Sequence, residues 1–416
     1  MIKKNIKKID KNTYFYKYDS VSYVVCYSFR YETNRLNYML ATLLGRYLTE
    51  VSNKYTSKKE IMDKSMELYN ASVHISDYSC KGYSTMDAYL RIIDPKKVKE
   101  DYLDDAIDYF YELVCNPFIR DNKLDQETFN RLKNKMYNDY VNSSKDMHFE
   151  HYKEYCSTVL TDSILNFNIF KDMKELKELI DSITDKDIID FYYKLINNNY
   201  KAILFGNMSN TDVKKITSKF NFNKSNYKLD YTDYINIKKE YNEYVNKNFS
   251  QSMLNITYNV DNKYNNRVYA SILDIMCNST DGMLMIILRG KYGLVYHASV
   301  CLDFRLKSFH IDADIDKKNK DKTIDAIKEF IDDMHDKKKV EEKLKFAKEK
   351  IKENIYLSEE SSYAEYNKVF DVVYEKEMTD RELLSKVNKV TVKDIIDFMD
   401  TLTNENIFFY IGDKDE

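Results

Sequence analysis

Two stretches of the chain share one pattern of apolar and polar positions. Residues 184–207 read TDKDIIDFYYKLINNNYKAILFGN, and residues 391–413 read TVKDIIDFMDTLTNENIFFYIGD. The hexapeptide KDIIDF occurs in both, at Lys186–Phe191 and Lys393–Phe398. Thr184 and Thr391 each precede an acidic residue three positions on, Asp187 and Asp394, which is close to a capping-box helix start. The apolar residues Ile188, Ile189 and Phe191 then fall on one helical face. A polar, Asn-rich turn follows each time, and then an apolar run ending at Gly206 or Gly412. The pattern predicts the same capped helix, turn and strand twice. A spacing of about 200 residues is far longer than a solenoid unit, so it indicates a duplicated domain.

The remaining pattern agrees. Residues 13–30 and 248–259 are rich in β-branched and aromatic residues and read as opening strands. Val340, Leu344, Ala347, Ile351 and Ile355 recur at helical spacing inside a Lys/Glu-rich stretch whose charges form a solvated face. Residues 222–246 are polar with little periodicity and read as a linker between a first domain, 1–221, and a second, 247–416.

Composition narrows the function classes. Among 416 residues, 43% are hydrophobic and 32% charged, with a formal net charge of -3. That is an ordinary globular balance without the basic excess of a nucleic-acid binder. Six scattered cysteines form no C-x-x-C pair and read as reduced thiols. The basic start MIKKNIKK is followed by no apolar run, and no stretch of about 18 apolar residues stands out. The expectation is a cytoplasmic protein that engages neither nucleic acid nor membrane.

The seven glycines are unevenly spread, and Gly282, Gly290 and Gly293 fall within one short segment, DGMLMIILRGKYGLVY. Their spacing fits neither a P-loop nor a dinucleotide fingerprint. The run Met283–Leu288 reads as a buried helix. The stretch LRGKYGLVY, Leu288–Tyr296, is similar to the L-R-x-x-x-G-L-x-Y signature of the M16 peptidases, the pitrilysin, insulin-degrading and mitochondrial-processing-peptidase family. Residues 56–92 resemble that family's helix-then-two-strands segment. Residues 116–136 resemble its P-x-F element and following long helix. The resemblance implies an α+β fold of two homologous tandem domains, each a mostly antiparallel sheet packed by helices, forming an M16 half-shell. It further implies that Arg289 and Tyr296 bind and polarise a substrate peptide, with Gly282 and Gly293 shaping the element that carries them. Arg is permanently cationic and fork-shaped, and Tyr is a rigid neutral donor, so both suit charge growing on a peptide carbonyl.

Active members of the family carry H-x-x-E-H, whose two His bind zinc and whose Glu is the general base. No histidine here opens that motif. Its expected place, residues 35–50, has no His, and the third ligand's approximate place falls near Lys135. The resemblance therefore implies no metal ligand and no zinc-chemistry residue in this chain. The segment HFEHYKE, His148–Glu154, puts His148, His151 and Glu154 within reach of one helical face, but Tyr155 stands where a second motif His would be. It reads as an exposed helical surface, with a metal site as the alternative.

The expectation is a zinc-less subunit, resembling the YfmF-like bacterial members, that pairs with a catalytic M16 subunit bearing H-x-x-E-H and zinc. Its substrate would be a peptide, with precursor or leader peptides the favoured class. Three alternatives stay open: a structural protein, a peptide-binding module without any proteolytic role, and an independent enzyme using the His148 cluster.

Overall fold

The computed structural model describes residues 5–80, 83–160, 170, 172–198, 200–220, 222, 236–303, 306–358, 361–375 and 378–414. The chain divides into two compact units, and neither is contiguous in sequence. The first comprises Met1–Ser143, Phe170–Tyr231 and Ser362–Glu377, and the second Ser144–Ile169, Thr232–Ser361 and Met378–Glu416. The fold is α+β, with one mixed, mostly antiparallel sheet in each unit.

In the first unit the strands are β1 (Ile6–Lys8), β2 (Thr13–Lys17), β3 (Ser22–Tyr31), β4 (Ser72–Cys80), β5 (Tyr83–Ile93) and β6 (Tyr200–Gly206). They lie in the order β1-β2-β6-β3-β5-β4. Among the described residues only the β2–β6 pair is parallel. In the second unit β7 (Tyr241–Asn246), β8 (Ser252–Asn259), β9 (Val295–Asp303), β10 (Ser308–Ile315) and β11 (Thr403–Gly412) lie in the order β7-β11-β8-β10-β9. Here the single parallel pair among the described residues is β7–β11. Apart from β1, the two sheets have the same topology, as the repeated sequence pattern requires.

The duplicated ends form as their residues dictate. Helices Asp185–Ile196 and Val392–Asp400 both open on a full capping box, Thr184 with Asp187 and Thr391 with Asp394. Each box satisfies two otherwise orphaned backbone donors. Ile188, Ile189 and Phe191 are buried in the first core, and Ile395 and Phe398 in the second. The helix then feeds an interior strand, β6 or β11. The charged helix Lys337–Ser358 buries Val340, Leu344, Ala347 and Ile351, while Ile355 is partly buried.

The stretch expected as a linker contains β7. Its side chains alternate between half-buried and exposed at a sheet edge, so it lacks the apolar run that marks central strands. Residues 223–235 lie outside the described residues. The stretch Arg267–Lys291 is by length and composition alone apolar enough to cross a membrane. Here it is two elements, Arg267–Asn278 and Met283–Lys291, that bury Ile272, Leu273, Met276, Leu284 and Leu288 in the second core.

Each sheet is covered on its second face by a helix from the opposite half of the sequence. Helix Ser362–Phe370 brings Tyr366 and Val369 onto Tyr16, Val24, Cys26, Ile203 and Phe205 of the first sheet. The Tyr16 hydroxyl donates to Glu365 at 2.7 Å. Helix Met147–Thr158 brings Tyr155 and Cys156 onto Met253, Phe408 and Tyr410 of the second. This corrects the reading of HFEHYKE as an exposed surface, because His151 and Glu150 are buried there. His151 and Tyr155, one turn apart, form a face that the polar letters around them conceal.

Candidate functional site

The segment Gly282–Tyr296 is built from three local irregularities. Gly282 caps the first. A β-carbon at this position would meet the Cys277 carbonyl oxygen at 2.2 Å, so the sharp turn after helix Arg267–Asn278 accepts only glycine. The Gly282 carbonyl accepts from the Ile286 amide at 2.9 Å and starts the next helix. That helix widens to a π-helix over Ile286–Lys291. π-Turns are rare and concentrate at functional sites. Here Ile287 and Leu288 stay buried while Arg289 and Gly290 face solvent. The helix ends at Gly293, which has φ +61 with open space around it. That left-handed conformation is the one glycine adopts without penalty.

The third irregularity lies in β9. The β9–β10 register shifts between Asp314, paired with His297, and Ile315, paired with Val295. Tyr296 is the extra residue of this β-bulge. Bulges re-aim side chains near functional sites. Accordingly the consecutive residues Tyr296 and His297 are both exposed between buried Val295 and Ala298. Tyr296 is 64% exposed, and its hydroxyl donates to Asp316 at 3.2 Å.

Beside it opens a cleft of about 830 Å³, lined among others by Asn278, Asp281, Ile286, Arg289, Lys291 and His297. The two cations differ in availability. Lys291 Nζ lies 2.7 Å from Glu329, which also accepts from the Tyr292 hydroxyl at 2.7 Å. These two donors hold the Glu329 carboxyl below the usual range. Arg289 has no hydrogen bond or ion pair with the described residues, so its guanidinium stands open at the cleft. Beyond His297, Asp314 lies 3.9 Å from His148, and burial pushes its carboxyl up.

The expected zinc region is occupied differently. Helix Arg35–Leu48 buries Met39, Leu40, Leu43, Leu44 and Tyr47. Its polar residues Thr42 and Arg46 face other groups. The Thr42 hydroxyl donates to Asp77 of β4 at 3.2 Å, and Arg46 Nη1 lies 2.8 Å from Asp139 of helix Gln126–Ser143. That Nη1 makes no aligned hydrogen bond, so the Arg46–Asp139 contact is Coulombic. A hydroxyl and a guanidinium are no donor set for zinc, and these residues do not fit the metal. Lys135 is exposed. Among the described residues no three His, Cys, Asp or Glu side chains are grouped to hold a metal ion. His151 sits among Tyr155, Phe408 and Tyr410, with ring centroids 5.7–6.3 Å away. Burial pushes its pKa down to about 4, and His148 adds to the shift.

Of the residues the resemblance implied, Arg289 lines the cleft, while Tyr296, Gly282 and Gly293 lie in the same stretch of chain outside its lining. Sequence reasoning missed Asn278 and His297, whose proximity depends on how helix Arg267–Asn278 lies along β9.

Comparison with known proteins follows the same lines. Residues 182–351 match the model of the peptidase M16 inactive domain. No curated protein sequence matches the chain. A conserved protein from Enterococcus faecalis superposes with a TM-score of 0.83 at 19% identity, over 99% of this chain and 100% of that one. A peptidase M16 inactive domain from Pseudomonas fluorescens superposes at 0.73 and 14% identity, over 98% of each chain. The periplasmic protease PqqL from Escherichia coli superposes at 0.68 and 10% identity, over 98% of this chain but 46% of that one. At these identities the likenesses establish the fold. The chain thus has the fold of a peptidase M16 inactive domain, and its residues 182–351 are similar to that domain in sequence.

Proposed function

We propose that this chain is the non-catalytic subunit of a two-chain M16 zinc metallopeptidase, working in the cytoplasm on a peptide substrate, with precursor or leader peptides the favoured class. The observation that carries the reading is the delivery of Arg289. The π-helical segment buries Ile287 and Leu288 and leaves Arg289 at the cleft, and no described residue neutralises it. An unpaired guanidinium beside a peptide-sized cleft is matched to a carbonyl on which negative charge develops. Tyr296, re-aimed by a bulge in the adjoining strand, adds a neutral donor that Asp316 orients. Zinc and the general base would belong to the partner chain, because residues 35–50, the expected place here, hold no histidine. The chain's match to about half the length of PqqL fits a fold used in pairs.

The test is cleavage of a fluorogenic peptide by this chain alone, by an M16 chain bearing H-x-x-E-H from the same source, and by the mixture. The reading expects cleavage by the mixture well above either chain alone. Equal cleavage by the H-x-x-E-H chain with and without this one would move the function to peptide binding or structure.

A further inference from the structure

The side chains of the turn between Gly290 and Gly293 converge on one carboxylate. Lys291 Nζ donates to Glu329 Oε1 at 2.7 Å, and the Tyr292 hydroxyl donates to Glu329 Oε2 at 2.7 Å, so each carboxylate oxygen takes one of two consecutive residues. The Lys291 ammonium also sits 4.7 Å from the centroid of the Tyr292 ring. Glu329 is borne on helix Lys320–Asp333, which buries Ala326, Ile327 and Phe330 in the second core. The anchor is fixed by packing, while Lys291 and Tyr292 are exposed. An ion pair with side chains 53% and 33% exposed adds little to stability. Its consequence is where the ammonium goes. Lys291 lines the same cleft as Arg289 and Asp281. Unpaired, it would give that lining two cations against one anion, and its flexible four-carbon stem would let the charge sweep the cleft. With Lys291 held by Glu329, which stands outside the lining, the formal charges of Asp281 and Arg289 balance.

We infer that Glu329 is a specificity-determining residue: by drawing Lys291 aside it leaves a charge-balanced cleft that accepts uncharged peptide segments and turns away segments rich in Asp or Glu. The inference rests on the cleft's being a peptide site and adds the class of peptide it takes. A side-chain carboxylate is a stronger acceptor for a guanidinium than a peptide carbonyl is. Two free cations in one cleft would capture acidic side chains and leave Arg289 occupied away from the peptide backbone. One guanidinium sharing the cleft with the Asp281 carboxylate favours a carbonyl, because an acidic side chain there meets Asp281 as a like charge. Selection of this kind comes from the penalty on the wrong ligand as much as from contacts to the right one.

The experiment uses the full chain and two fluorescein-labelled peptides followed by anisotropy. One is built of glutamine, serine and leucine, and the other has each glutamine replaced by glutamate. The wild-type chain is expected to bind the glutamine peptide more tightly. Glu329→Gln keeps the shape and an acceptor for the Tyr292 hydroxyl but loses the charge that holds Lys291. It should bind the glutamate peptide about tenfold more tightly than wild type does, the worth of one modest hydrogen bond between charged groups. That gain should vanish at about 1 M salt, where the screening length is about 3 Å, and in the double variant Glu329→Gln/Lys291→Met. Tyr292→Phe, which leaves the ion pair in place, should keep the wild-type preference. Melting temperatures show that each variant is folded. No gain for the glutamate peptide in Glu329→Gln, or a gain that survives Lys291→Met, would reduce Glu329 to a structural tie and overturn the inference. Absence of binding of both peptides by every protein would overturn it too, while the cleavage test of this chain with its partner would stand apart and decide the broader reading.

Discussion

Arg46 and Asp139 approach to 2.8 Å between two helices of the first unit, the Arg lying in the stretch where active members of the resembled family would carry their zinc motif. A guanidinium is no ligand for zinc. Both side chains are a third or more exposed or close to it, so the pair itself adds little to stability, roughly 0–1 kcal/mol. The expected result is that a strong chelator leaves the melting temperature of the isolated chain unchanged. A drop on chelation that zinc restores would show a metal site missed in this chain.

Tyr16 and Glu365 are 6% and 8% exposed, and their hydrogen bond ties helix Ser362–Phe370 to β2. Removing the donor strands a buried carboxylate oxygen. Tyr16→Phe should lower unfolding free energy by about 1.5–3 kcal/mol, measured by urea denaturation. A change within about 0.5 kcal/mol would mean that water or Lys368 replaces the lost donor.

His151 gives the pH dependence a sign. Its pKa falls from 6.5 to about 4 on folding because burial disfavours the charged ring. Below pH 6.5 the unfolded chain binds the proton that the folded chain refuses. Stability is therefore full above that pH and is lost as pH falls toward 4, on the order of 3 kcal/mol for the whole interval. His151→Phe should flatten this part of the pH–stability curve. An unchanged slope between pH 6.5 and 4 would assign the loss to other groups.

The two glycines of the site fail for different reasons. Gly282→Ala drives a β-carbon into the Cys277 carbonyl, a contact with backbone that no rotamer relieves. It should destabilise by about 1–3 kcal/mol or displace the start of the π-helix. Gly293→Ala meets open space and suffers only its left-handed φ, about 1–2 kcal/mol. Equal stability of Gly282→Ala and wild type in thermal melts would contradict the steric account.

Much of the fold was legible because it rests on local chemistry. The capping boxes at Thr184 and Thr391 and the apolar faces behind them are decided within a few residues, and both helices formed as the pattern required. What escaped depends on partners distant in sequence. Tyr241–Asn246 pairs in parallel with β11 and reads as linker because no face of it is fully buried. Helix Met147–Thr158 looks solvated until Met253, Phe408 and Tyr410 are placed against it. The site divides in the same way. The glycine spacing and the Arg/Tyr pattern are visible as letters. The π-helical segment that leaves Arg289 at the cleft and the bulge that exposes Tyr296 come from register against the second core and β10, which no local window contains.

The measurement closest to the central claim is steady-state cleavage by the mixture of this chain and its H-x-x-E-H partner, with wild type compared against Arg289→Ala. Arg289 is exposed and unpaired among the described residues, so its removal should leave folding and assembly intact. The account predicts a loss of about 10²–10³-fold in kcat/KM, as for removal of one positioned donor to a developing oxyanion, with complex formation unchanged by sedimentation. Undiminished cleavage by an equally assembled Arg289→Ala complex would contradict it.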